Sequence, residues 1–181
     1  MDGLEEMLVE NRIIFITGEI TQELANSVIV KMLYYESLDC EKDITIYLNT
    51  PGGDTDAMHA IKDMFSFVKP DICVVNLSCA YSAGSLIFAC GTKGKRYMLP
   101  SAKVMIHQPS IVSSKKNWTC KELENVAETT IISQKRYVDT MLERTNISYE
   151  QMKKFIQKDT YLNAQECIKL GIADKILDKK H

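Results

Sequence analysis

No stretch of this sequence is apolar for long enough to span a bilayer. The opening residues, Met1-Asp2-Gly3-Leu4-Glu5-Glu6, are acidic and lack the basic and apolar regions of a secretory leader. None of the six cysteines (Cys40, Cys73, Cys79, Cys90, Cys120, Cys167) forms a Cys-x-x-Cys pair, and no histidine stands beside one at metal-ligand spacing. These absences point to reduced thiols and a cytoplasmic protein, and no cofactor or metal is expected. Cys73, Cys79 and Cys90 lie in apolar stretches, where a free thiol acts as a small hydrophobe. A charge excess is missing too. The formal net charge is -2, which makes no electrostatic case for a nucleic-acid or anionic-membrane partner. The short runs Lys115-Lys116 and Lys179-Lys180 read as solvated surface. No internal repeat, low-complexity segment or Pro/Gly-rich linker divides the chain, so residues 1–181 are expected to form a single domain.

Apolar residues make up 45% and charged residues 25% of the chain, the balance of an ordinary globular protein. Its first half alternates. Arg12 to Thr17 reads as a strand before Gly18. Thr21 to Leu38 reads as a helix with Leu24, Val28, Val30, Met32 and Leu33 as its apolar residues. Asp43 to Leu48 reads as a strand ended by Pro51-Gly52-Gly53. A helix from Thr55 to Phe67 groups Ala57, Ile61, Met64 and Phe65 on one face. Ile72 to Leu77 reads as a buried strand, Ser82 to Ala89 as a compact apolar helix, and Arg96 to Met98 and Lys103 to Ile106 as short strands. Strand-helix alternation predicts parallel strands with right-handed crossovers, hence an α/β fold. The second half is helical. A capping box at Thr119 and Glu122 opens one long helix to Arg144. Ser148 with Gln151, and Asn163 with Glu166, open two shorter ones, the last stopped by Gly171. These later helices read as an appendage.

Three local features carry candidate chemistry. Thr50-Pro51-Gly52-Gly53 at a strand end frees backbone N–H groups to face a ligand oxygen. Ala80-Tyr81-Ser82-Ala83-Gly84 resembles a nucleophile elbow with Ala for its first Gly. Such a turn exposes Oγ and aims the Ala83 N–H at the same oxyanion as the Gly53 N–H. Val104-Met105-Ile106-His107-Gln108-Pro109 ends a strand in a histidine. Taken singly these are a plain turn, a helix N-cap and a structural histidine; taken together they read as a nucleophile with its base. His59 falls off the apolar stripe of its helix, and His181 ends the chain.

In order, Thr50-Pro51-Gly52-Gly53, Ser82-Ala83-Gly84, Gly94-Lys95-Arg96, Leu99-Pro100 and Met105-Ile106-His107-Gln108-Pro109 resemble the ClpP family, the proteolytic subunits of ATP-dependent Clp proteases. The likeness continues through Lys158-Asp159-Thr160-Tyr161-Leu162-Asn163-Ala164 and Gly171-Ile172-Ala173-Asp174. It implies a serine endopeptidase with Ser82 as nucleophile, His107 as base and Asp159 as the third triad member. Nothing in the residues alone selects Asp159 among the acids. It implies oxyanion donors at the backbone N–H groups of Gly53 and Ala83. It also implies a ClpP/crotonase-type fold of strand-strand-helix turns with a protruding helical handle over about 119–145. Heptameric rings, stacked in pairs, would enclose sites fed with unfolded polypeptide by an AAA+ unfoldase.

The sequence departs from that pattern in places. Only Met1 to Asn11 precede the first strand, where the family carries a segment that meets the unfoldase. The Gly-rich strand after Pro109 is replaced by Ser110-Ile111-Val112-Ser113-Ser114-Lys115-Lys116-Asn117-Trp118. Lys158 stands for an arginine and cannot form its bidentate fork. Tyr81 and Met58 stand where small residues are usual; either they crowd the pocket or they are packing with no effect on specificity. These mark a divergent member with altered assembly. A non-catalytic or weakly active subunit of a mixed ring is the alternative reading. Thioester chemistry of the crotonase type, and a Ser-Lys peptidase of the signal-peptide-peptidase type, are further ones.

Overall fold

The computed structural model describes residues 3–111 and 115–178. A short helix, α1 (Gly3–Glu10), leads into β1 (Ile13–Ile20), α2 (Gln22–Leu38), β2 (Ile44–Gly53), α3 (Thr55–Phe67) and β3 (Ile72–Tyr81). The three strands pair in parallel in that order, as the alternation predicts. Thr21 and Asp54 cap α2 and α3, their side chains accepting the N–H groups of Leu24 and Ala57. Burial alternates along β1 and β2: Ile14, Ile16, Ile20, Ile44, Ile46 and Leu48 point into the core, while Phe15 and Tyr47 stack on the opposite face.

Several expected boundaries are corrected. β2 does not stop at Pro51-Gly52-Gly53 but runs through it, because Glu19 and Ile20 of β1 remain paired with Gly52 and Gly53 beyond a register shift. β1 and β3 likewise extend to Ile20 and Tyr81. In α2 the inward face is Ala25, Val28, Met32 and Tyr35, whereas Val30 and Leu33 face outward. The 3-4-3 spacing of the former set follows one side of a 3.6-residue helix; Val30 and Leu33 fall off it.

Beyond β3 comes α4 (Ala83–Ala89), buried at every residue, then β4 (Arg96–Met98) and β5 (Lys103–Ile106). The sheet forks here. β3 pairs with β4 through Val74 to Asn76 and with β5 through Cys79 to Tyr81. The long helix α5 (Cys120–Arg144) buries only Tyr137 and Met141, so its N-terminal half stands clear of the core as a handle. α5, α6 (Tyr149–Phe155) and α7 (Ala164–Lys169) all begin at the expected capping boxes.

The C-terminal part is not an appendage. β6 (Thr160–Asn163) pairs antiparallel with β5, and β7 (Lys175–Ile176) pairs in parallel with β4. Arg96 binds them together: its guanidinium donates to both carboxylate oxygens of Asp174 at 2.9 and 2.6 Å and to the Arg144 carbonyl at 2.9 Å. Val112, Ser113, Ser114, Lys179, Lys180 and His181 lie outside the described residues. Ser110, Ile111 and Lys115 to Trp118 carry no strand, and Lys115 lies 5.3 Å over the Trp118 ring. Among the described residues no helix is long and apolar enough to cross a membrane.

Candidate active site

β3 ends at Tyr81, and the chain turns into α4 through Ser82. That serine has φ 52° and ψ -120°, a conformation that costs a non-glycine residue about 1–3 kcal/mol. Its side chain makes no capping bond to α4, which removes the reading of Ser82 as an ordinary N-cap. The turn holds because its surroundings fit it closely. The Ser82 N–H donates to the Met105 carbonyl at 2.9 Å. A Cβ on Gly52, whose φ is +103°, would sit 2.8 Å from Ser82 Cβ, and one on Gly84 would sit 2.4 Å from Thr50 Cγ2. The glycines of both motifs therefore let β2 and the elbow touch.

Strand register brings the other two side chains alongside. Tyr81 pairs with Met105 in parallel, so Ser82 and the end of β5 leave the sheet together. Ile106 pairs with Thr160 in the antiparallel β5–β6 ladder, so His107, one residue later, meets Asp159, one residue earlier. His107 Nε2 lies 2.8 Å from Ser82 Oγ, and His107 Nδ1 lies 3.2 Å from Asp159 Oδ1. The histidine side chain is 24% exposed and that of Asp159 60%. A proton on Nδ1 facing the carboxylate leaves Nε2 free to accept the Ser82 proton.

A cleft opens beside this trio. Gly53, Thr55, Met58, Ser82, Ala83 and Pro109 are among its walls. Met58, 1% exposed, is thus a wall residue. Tyr81 is not: its ring packs edge-on against Tyr161 with centroids 5.5 Å apart. Successive strand residues alternate faces, and Tyr81 shares its face with Tyr161 across β5. His59 lies on a neighbouring groove with Arg136 and Thr130, and burial lowers the pKa of its imidazole. Sequence reasoning missed Ser133 and Tyr137 of α5, which close the cleft from the handle. The four-residue spacing of Tyr137 and Met141, the two buried positions of α5, was the available signal.

A hydroxyl on an elbow, an imidazole and a carboxylate in series suit acyl transfer through a covalent intermediate. Among the described residues no cluster of His, Cys, Asp and Glu could hold a metal ion. The chain matches a model of the Clp protease family across residues 2–180. It is 36% identical over 171 residues to an ATP-dependent Clp protease proteolytic subunit of Lactococcus lactis subsp. cremoris (strain SK11), covering 94% of this chain and 85% of that one. It is 38% identical over 173 residues to an ATP-dependent Clp protease proteolytic subunit 1 of Bifidobacterium longum (strain NCC 2705), covering 96% and 73%. A fold whose sheet, elbow and handle match expectation, together with identity across almost the whole length, shows that the chain belongs to the Clp protease family, whose proteolytic subunits are serine peptidases.

Proposed function

We propose that this chain is a Clp-type serine endopeptidase in which Ser82 attacks the substrate, His107 transfers protons and Asp159 orients the imidazole. The observation that carries the reading is the 2.8 Å contact between His107 Nε2 and Ser82 Oγ on a positive-φ turn. Oγ bonds to the peptide carbonyl carbon while its proton passes to His107 Nε2. The tetrahedral oxyanion is held by the Gly53 and Ala83 N–H groups, each worth about 3 kcal/mol in such sites. The C–N bond then breaks, and the leaving amine takes the proton from His107. Water repeats the sequence: its proton goes to His107, its oxygen joins the acyl carbon, and Ser82 leaves reprotonated. A mixed-ring subunit without activity is disfavoured, because the trio already has reactive spacing.

The substrate is unfolded polypeptide or peptide, and the protein works in the cytoplasm as a self-associated heptameric ring, whose stacking in pairs through α5 is altered by Lys158 and by the loss of the Gly-rich strand after Pro109. Exposed apolar residues support assembly: Leu123, Ile131 and Ile132 on α5, and Val30 and Phe67 at the outside of α2 and α3. An AAA+ unfoldase of the Clp type supplies substrate. Fluorophosphonate labelling read by intact mass tests the chemistry. One adduct per chain is expected on the wild type and none on Ser82→Ala; an adduct that survives the substitution removes Ser82 from the mechanism. Native mass spectrometry of the same samples tests the ring, with a monomer at working concentration counting against it.

A further inference from the structure

Tyr137 reaches the cleft from α5, and its hydroxyl lies 2.6 Å from Ser85 Oγ. Ser85 is fully buried, and its Oγ lies 2.5 Å from the carbonyl oxygen of Ser82. A carbonyl has no proton to give, so Ser85 is the donor in that contact. A serine hydroxyl carries one proton. Tyr137 must therefore donate to Ser85 Oγ, and the relay runs one way, from the phenol through the serine to the Ser82 carbonyl. Burial pushes the Tyr137 phenol far above its ordinary value, which keeps it neutral and donating. The Ser85 N–H reaches the same carbonyl at 2.9 Å, so that oxygen accepts two bonds.

The end of the relay matters because the Ser82 carbonyl and the Ala83 N–H belong to one planar trans peptide. The two groups point in opposite directions. Holding the oxygen inward against Ser85 turns the N–H away from Ser85, and Ala83 is a wall of the cleft. Two donors on the oxygen also polarise the amide and strengthen its N–H. We infer that Tyr137 and Ser85 are positioning residues for the Ala83 amide, setting the plane of the Ser82–Ala83 peptide so that its N–H meets the oxyanion. The inference rests on the reading of Ser82 as nucleophile and Ala83 as oxyanion donor. It gives the handle helix a direct hydrogen-bonded line into the reaction, beyond its place as a cleft wall.

The test uses the full chain with Tyr137→Phe, which deletes one oxygen and keeps the ring, with Ser85→Ala, and with both. Each is assayed for kcat and KM on a fluorogenic peptide and for inhibition by a peptide boronate. The boronate adduct on Ser82 carries an oxygen where the oxyanion forms. Native mass is recorded so that variants are compared as the same particle. In Ser85→Ala, kcat and boronate affinity are expected to fall together by about tenfold, with KM within about twofold, the signature of an interaction made in the transition state. Tyr137→Phe loses less, and the double variant is no worse than Ser85→Ala, because the relay is serial. Ser85→Cys, which retains a weak donor, recovers part of the loss. Unchanged kcat and boronate affinity, a rise in KM alone, or losses that multiply in the double variant overturn the inference. A failure of the underlying reading shows elsewhere, as wild type unlabelled at Ser82 or turnover by Ser82→Ala.

Discussion

At Ser82 the backbone, more than the side chain, is the unusual feature. A positive φ lifts Oγ out of β3 and toward His107, and the neighbouring chain keeps it there. Gly52 shows how closely. With φ at +103° and a would-be Cβ 2.8 Å from both Ser82 Cβ and the Tyr81 carbonyl oxygen, it admits no side chain without moving the elbow. Gly52→Ala is expected to slow fluorophosphonate acylation of Ser82 by about 100-fold, since displacements near 1 Å cost that much in oriented reactions. A rate within a fewfold of wild type, measured as the second-order labelling constant, would show the elbow to be more compliant than the geometry implies. In the proposed mechanism Asp159, 60% exposed and partly screened by water, orients the Nδ1 proton more than it stabilises charge.

At the scale of elements, β5 is the hub. It pairs in parallel with β3 and antiparallel with β6, and so collects a serine from one neighbour and an aspartate from the other. The second joint is Arg96 with Asp174, which fastens the segment leading to β7 onto β4 and satisfies the Arg144 carbonyl at the end of α5. Asp174→Asn leaves the guanidinium, 4% exposed, without its counter-charge, and the expected loss is about 3 kcal/mol at neutral pH. Burial alone would raise the Asp174 carboxyl, but hydrogen bonds and charge from Arg96, with the Arg96 and Gly94 amides, hold it below its ordinary value. A lowered folded value means the contribution is complete above the unfolded value, about 3.9, and fades as pH drops through the folded one. Urea midpoints of wild type and variant should therefore differ at pH 7 and converge toward pH 3. A gap of equal size at both would place the effect in packing rather than charge.

For the molecule as a whole, one sheet face is closed by helices and the other is partly open. Parallel strands are usually covered on both faces, yet Phe15 stacks on Tyr47 at a centroid distance of 5.4 Å with 44% of Phe15 exposed. A partly open sheet face and the exposed Leu123, Ile131 and Ile132 of α5 together favour a chain that completes its burial by assembling. The closed side can be probed through its thiols. All six cysteines are free, and burial pushes Cys90 up to about 11 and Cys167 to about 12. In native protein at pH 8, iodoacetamide should spare Cys90 and Cys167 and modify both in denaturant, as read by peptide mass mapping. Native-state alkylation of either would reveal local opening of the core.

Hydrophobic period, capping boxes and the Gly-Gly and Ser-Ala-Gly motifs were legible along the chain because each depends on neighbours within a few residues. They located the α/β alternation, the start of α5 at Thr119, and the elbow and histidine as candidate partners. Two of the short strands, β4 and β5, were read from the sequence, but β6 and β7 were not: they have four and two residues and owe their form to β5 and β4. The carboxylate facing His107 and the Tyr137–Ser85 relay belong to the same class. Asp159 reaches His107 only through antiparallel register, and Ser85 meets Tyr137 across 52 positions of sequence. Distance along the chain says nothing of such pairs; packing around a common sheet decides them.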